Sequence, residues 1–182
     1  MTTTTKDIVD LLLDDHMEAK QLLEKISSAA PDKREPLFWE LVPALVRHEV
    51  AEEVVVYPTV RSDAPDGERE VQPRLKEQAE AEELLADMEK LDRTSTEFDQ
   101  KLVKLRDGVL EHAEAEEENI FPLLRALEDT EQGVELGARY EKAKSAAPTH
   151  PHPNAPDSPP GNKVVGPIAA LFDKTRDALK GI

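Results

Sequence analysis

Two stretches of this chain put imidazole and carboxylate at the same spacing: HEVAEEVVVYP at 48–58 and HAEAEEENIFP at 112–122. Each reads His, three residues, Glu-Glu, then an aromatic residue and a proline. On a helix, positions i and i+4 lie on one face about one turn apart. His48 with Glu52, and His112 with Glu116, therefore each present a nitrogen and an oxygen to a common point. A single HxxxE on an acidic helix is commonly a surface ion pair. Two copies in register, each on an apolar face, point instead to a buried polar layer. Buried His and Glu need partners, because an unpaired buried charge is costly. A metal ion satisfies all of them at once, and metal-binding bundles use mixed His and carboxylate ligands on facing helices.

The repetition extends upstream of both phrases. DHMEAKQLLEKI (15–26) aligns without gaps to EQAEAEELLADM (77–88), with Glu18, Ala19, Leu22 and Leu23 matching Glu80, Ala81, Leu84 and Leu85. The chain thus reads as two similar helix pairs related by an approximate two-fold axis. The first pair offers His16 at the depth of His48 and Glu52. The second offers Gln78 beside His112 and Glu116.

The elements that must position these groups are helical throughout. Apolar residues at spacings of three and four predict helices over 6–27, 33–60 and 68–92, a fourth ending near 129, and a shorter one over 131–144. Pro43 is expected to bend the second, and SDAPDG at 62–67 to form a loop. No segment alternates with the period of a strand. The expected fold is all-α, an up-down-up-down four-helix bundle over residues 1–145. Residues 146–182 are expected to form a proline-rich strap and a short helix over 163–181 that packs on the bundle. His150 and His152, in that strap, are expected to face solvent. Tyr57 and Phe121 are expected to plug the end of the bundle, and Glu49, Glu53, Glu114, Glu117 and Glu118 to be solvated or to support the ligands.

Composition narrows the function. The chain has 182 residues, a formal net charge of −16 and no cysteine. So acidic a surface repels nucleic acid and anionic membrane. The absence of cysteine excludes disulfides, thiolate metal sites and thiol catalysis. The apolar runs are too short to cross a bilayer, and the N-terminus has no apolar signal core. These features predict a cytoplasmic protein, a monomer or small homo-oligomer, with no nucleic acid or membrane partner.

DLLLDDH (10–16) and the two HxxxEE phrases resemble the hemerythrin-like, or HHE cation-binding, family over roughly residues 6–129. The tail, THPHP…PPGNKVVGP, resembles those of actinobacterial members. The resemblance implies a four-helix bundle holding two non-haem irons with an oxo or hydroxo bridge. His16, His48, Glu52, His112 and Glu116 carry over as ligands, with Glu52 and Glu116 as bridging carboxylates. It departs on the third helix, where members usually have His and this chain has Gln78. Glu82, one turn later, then becomes a candidate ligand, with Glu77 or Glu80 inward if the helix is rotated. Gln78 is expected to support the site by bonding a metal-bound water or peroxide. Iron is the expected metal, with manganese or zinc as alternatives. The implied function is a di-iron protein handling dioxygen, peroxide or nitric oxide, as an oxidoreductase if it is an enzyme. The alternatives are a non-catalytic sensor or store for oxygen, nitric oxide or iron, and a metal-free helical interaction module.

Overall fold

Asp7 begins the first helix: its carboxylate accepts from the Asp10 amide at 2.9 Å, satisfying a backbone donor that the first turn leaves open. The computed structural model describes residues 6–127 and 130–153, together with Ala170 and Asp173. Among them the order is α1 (Ile8–Ser28), α2 (Arg34–Ala51), a π-helical turn (Glu52–Val56), α3 (Tyr57–Asp63), α4 (Gly67–Met88), α5 (Thr96–Asn119), α6 (Phe121–Leu127) and α7 (Thr130–Ala146). No strand occurs among the described residues. Helices α1, α2, α4 and α5 form the expected bundle, and α7 packs against α1 and α2. No described helix is long and apolar enough to cross a membrane. The expected helix over 163–181 lies outside the described residues, apart from two positions.

The second and fourth helices are not continuous, as periodicity alone suggests. Each is broken one turn beyond its glutamate, and proline is the cause in both. Pro58 has no N–H to give to the carbonyl four residues earlier, and its ring crowds that carbonyl. The helix accommodates this with a π turn, in which the Tyr57 amide donates to the Glu52 carbonyl. Pro122 stands in the same place in the second repeat, and there the chain pauses at Ile120 between α5 and α6. The first break aims Tyr57 at the carboxylates, and the second sets Phe121 against the His16 ring.

The interior is two apolar clusters with a polar layer between them. One contains Leu23, Ile26, Phe38, Leu41, Met88 and Phe98. The other contains Ile8, Leu12, Val56, Val60, Ile120 and Leu124. The layer between holds His16, His48, Glu52, Gln78, His112 and Glu116, all buried.

The turn into α4 depends on one close approach. Asp66 takes a left-handed conformation (φ 60°) and Gly67 follows it against α3. A Cβ on Gly67 would stand 2.0 Å from the Val60 carbonyl oxygen. Gly67→Ala is therefore expected to lower the unfolding free energy by about 3 kcal/mol in urea titrations. Gly108→Ala is the control: its Cβ meets nothing within 4 Å. It should stabilise by up to about 1 kcal/mol through helix propensity.

Candidate metal centre

His16 comes from α1, His48 from α2, Glu52 from the first residue of the π turn, and His112 and Glu116 from α5. His16, His48, Glu52 and Glu116 each offer one ligand atom, all within 4.8 Å of one another. Glu116 Oε2 lies 3.3 Å from His16 Nε2 and 3.4 Å from His112 Nε2. Glu52 Oε1 lies 3.3 Å from His48 Nε2. His16 Nε2, His112 Nε2, Glu52 Oε1 and Glu116 Oε2 are buried with no hydrogen-bond partner. A folded protein rarely leaves one such atom unsatisfied, and here they face one volume.

The other nitrogen of each ring is occupied. His16 Nδ1 is 2.9 Å from Glu117 Oε1, and His112 Nδ1 is 2.9 Å from Glu77 Oε2. Carboxylates only accept, so Nδ1 carries the proton in both. His48 Nδ1 is 2.7 Å from the Tyr140 hydroxyl, which in turn donates to Asp15 Oδ2 at 2.6 Å. Its Nδ1 is therefore also the donor. All three rings are held in the tautomer that turns the Nε2 lone pair inward, as metal-ligating histidines are. The residues fit a metal ion.

Gln78 reports what the second repeat has changed. By the internal alignment it stands where His16 stands, and Tyr57 stands where Phe121 stands. The His16 ring stacks on Phe121 at 5.3 Å. The Gln78 amide instead donates to the Tyr57 hydroxyl at 2.8 Å and to Glu52 Oε2 at 2.7 Å. Tyr57 donates to Glu116 Oε1 at 2.8 Å. One oxygen of each glutamate is thus fixed by Gln78 or Tyr57, and the other is left free. Gln78 anchors a carboxylate and turns no nitrogen lone pair toward the centre. Tyr57 belongs to the site, beyond the end-plug role expected of it.

Glu82 is not brought to the cluster. Its Oε1 accepts from the His152 amide at 2.7 Å, so the strap engages it. The reason is helical: Glu82 is the counterpart of Lys20, which reaches Glu117 from the outer side of α1 at 3.2 Å. Glu80 is exposed and pairs with Lys76. Glu77 does act at the site, by holding His112. His150 is buried, contrary to expectation: its ring contacts Glu89, and its amide donates to Asp173 at 3.1 Å. His152 is half-buried, its Nε2 3.0 Å from Asp173 Oδ2. Asp15 and Glu77 head the two aligned segments, so the pairing that supports His48 and His112 is written in the repeat. Tyr140 lies outside the repeat and carries no such signal.

Without metal, the centre is held together by protons. Burial opposes charge on His112, but Glu116 and Glu77 outweigh it and push it up to about 10. Glu116 is held well below the usual carboxylate range: burial resists, and His112 and His16 prevail. Burial, with Glu116 alongside, raises Glu52. Burial also raises the neighbouring Glu49 to about 8. A metal must displace the His112 proton, so its affinity falls as pH is lowered. For the metal-free protein, Glu49 keeps its proton when folded and loses it when unfolded above its ordinary 4.5. The unfolded state then binds fewer protons, so stability falls as pH rises from 4.5 to about 8. His112 adds a loss of the same sign from 6.5 to about 10. Urea unfolding of chelator-treated protein across this range should show the decline, and Glu49→Gln should flatten its lower part.

A cavity of about 400 Å³ opens onto this layer between α4 and α5. His16, His48, Gln78 and His112 line its inner end, and Lys76, Glu80, Lys104 and Glu111 line it where those side chains are exposed.

A helical bundle with a buried His and carboxylate layer is the architecture of a cation-binding protein. Residues 7–124 match the hemerythrin HHE cation-binding domain, and the chain belongs to that family. It is similar to an uncharacterised hemerythrin-like protein of Schizosaccharomyces pombe, 28% identical over 179 residues, covering 95% of this chain and 86% of that one. It is also 31% identical over 140 residues to a DNA nickase of Nostoc sp., covering 76% of this chain and 39% of the nickase. Among solved structures, the fold matches a hemerythrin HHE cation-binding domain-containing protein from Mycobacterium kansasii. The TM-score is 0.66 at 21% identity, covering 77% of this chain and 88% of the other.

Proposed function

We propose that the centre binds non-haem iron through His16, His48, His112, Glu52 and Glu116, and that it reacts with dioxygen or peroxide. The observation that carries this reading is the convergence of unpartnered Nε2 and carboxylate atoms, with every Nδ1 already held. Mixed imidazole and carboxylate donors suit iron. Bound iron would supply redox chemistry. The chain supplies fixed ligand tautomers, carboxylates anchored by Gln78 and Tyr57, and an open approach between α4 and α5. If two irons are held, Glu52 and Glu116 would be the carboxylates that hold them together with the three histidines.

One observation favours a second reading, a single ion. Gln78 and Tyr57 each occupy one oxygen of a glutamate, and the ligand atoms that lie within 4.8 Å of one another come from His16, His48, Glu52 and Glu116. Such a set would hold one ion, and a second would need the hydrogen bonds of Gln78 and Tyr57 to yield. Activity on DNA, the property named in the cyanobacterial relative, is opposed by the net charge of −16.

Metal analysis of the purified chain, with absorption spectra before and after peroxide, tests the proposal. Two irons per chain and a peroxide-sensitive near-ultraviolet band are expected. One iron per chain establishes the single-ion form. Failure to bind iron after anaerobic ferrous loading overturns the reading and leaves a helical interaction module.

A further inference from the structure

We infer that the cavity between α4 and α5 is a binding site for a neutral, mostly apolar alcohol or phenol, its hydroxyl directed at the metal layer. As a substrate site this rests on the metal reading; as a binding site it does not. The volume, about 400 Å³, is that of a small-molecule pocket. Its walls are apolar: Ala19, Leu45, Ala81, Leu84, Leu105 and Val109. Dioxygen and peroxide need far less room. Lys76 and Lys104 stand with Glu80 and Glu111 along the exposed part of the lining, so the site has no net charge there to select an ion.

The inner end selects for a donor. The Nδ1 protons of His16 and His112 are committed to Glu117 and Glu77. The Gln78 amide nitrogen is committed to Glu52 and Tyr57, which fixes the amide orientation and leaves Oε1 without a partner. The polar atom left over there whose character depends on neither a metal nor a proton is Gln78 Oε1, and it is an acceptor. A hydroxyl gives Gln78 Oε1 a proton to accept, whereas a carboxylate or an ether gives it none. Gly108 provides the room. It lines the cavity in the middle of α5, and a Cβ there would meet nothing within 4 Å. A helix-interior glycine disfavours the helix, and here no packing contact requires one.

The test uses 4-propylphenol and its methyl ether, which match in shape and differ in the donor. Binding is followed by calorimetry and NMR on the full chain, both iron-loaded and chelator-treated. Saturable binding at one per chain is expected in both forms, with the phenol about tenfold tighter than the ether, the worth of one hydrogen bond. Gln78→Leu should shrink that preference. Gly108→Leu should weaken both ligands more than about tenfold by filling the space, with a melting temperature no lower than wild type. The inference is overturned if neither form binds the phenol saturably, if the ether binds as well, or if Gly108→Leu binds like wild type. Binding to the chelator-treated chain separates failure of the pocket from failure of the metal reading.

Discussion

Glu116→Ala is expected to abolish metal binding. Its Oε2 is near two of the imidazoles at once, 3.3 Å from His16 and 3.4 Å from His112. Glu117 and Glu77 cannot replace it: both are on the far side of the rings, bound to Nδ1. Metal content by mass spectrometry should fall to background. The chelator-treated variant should also lose stability, because Glu116 is the anion that holds the His112 proton. Removing one partner of a buried ion pair costs about 3–5 kcal/mol. Glu116→Gln keeps the shape and the Tyr57 contact, so it separates charge from packing. Retained metal in Glu116→Ala would mean that Glu116 is not a ligand.

Tyr140→Phe is expected to weaken metal binding by about 10- to 100-fold, the usual effect of losing the group that orients a ligating histidine. Tyr140 accepts from His48 Nδ1 at 2.7 Å and donates to Asp15 at 2.6 Å. Lys144 fixes Asp15 from the same helix, 2.7 Å from each oxygen. Without the hydroxyl, His48 Nδ1 is left 3.5 Å from Asp15, too far for a sound hydrogen bond. The ring remains packed in the core, so chelator-treated Tyr140→Phe should lose only about 1–3 kcal/mol. Competition with a chromogenic chelator measures the affinity, and Asp15→Asn should reproduce the loss. Unchanged affinity in both variants would reduce α7 to a packing element. The prediction matters because Tyr140 lies beyond residues 7–124, the span that matches the family domain.

Most of the centre was legible from spacing. Helical periodicity placed His48 and Glu52, and His112 and Glu116, on inward faces, and the internal repeat brought His16 to their depth. These inferences worked because burial and the period of 3.6 are local properties. Glu82 misled because being one turn from Gln78 does not set which way a helix is rotated; packing does, and here it gives Glu82 to the strap. The same rotation makes Glu77 a support for His112, where the sequence offered it as an inward residue of a rotated helix.

By itself, then, the sequence determined the bundle, the paired His and Glu groups, and the substitution of an amide for an imidazole in the second repeat. Tertiary structure decided what that amide does, because its partners Glu52 and Tyr57 reach it from another helix. It also decided that α7 closes over His48, since Tyr140 and Asp15 meet across 125 positions of chain. A hydrogen bond depends on distance in space, and no local period encodes a distance between helices that only packing brings together.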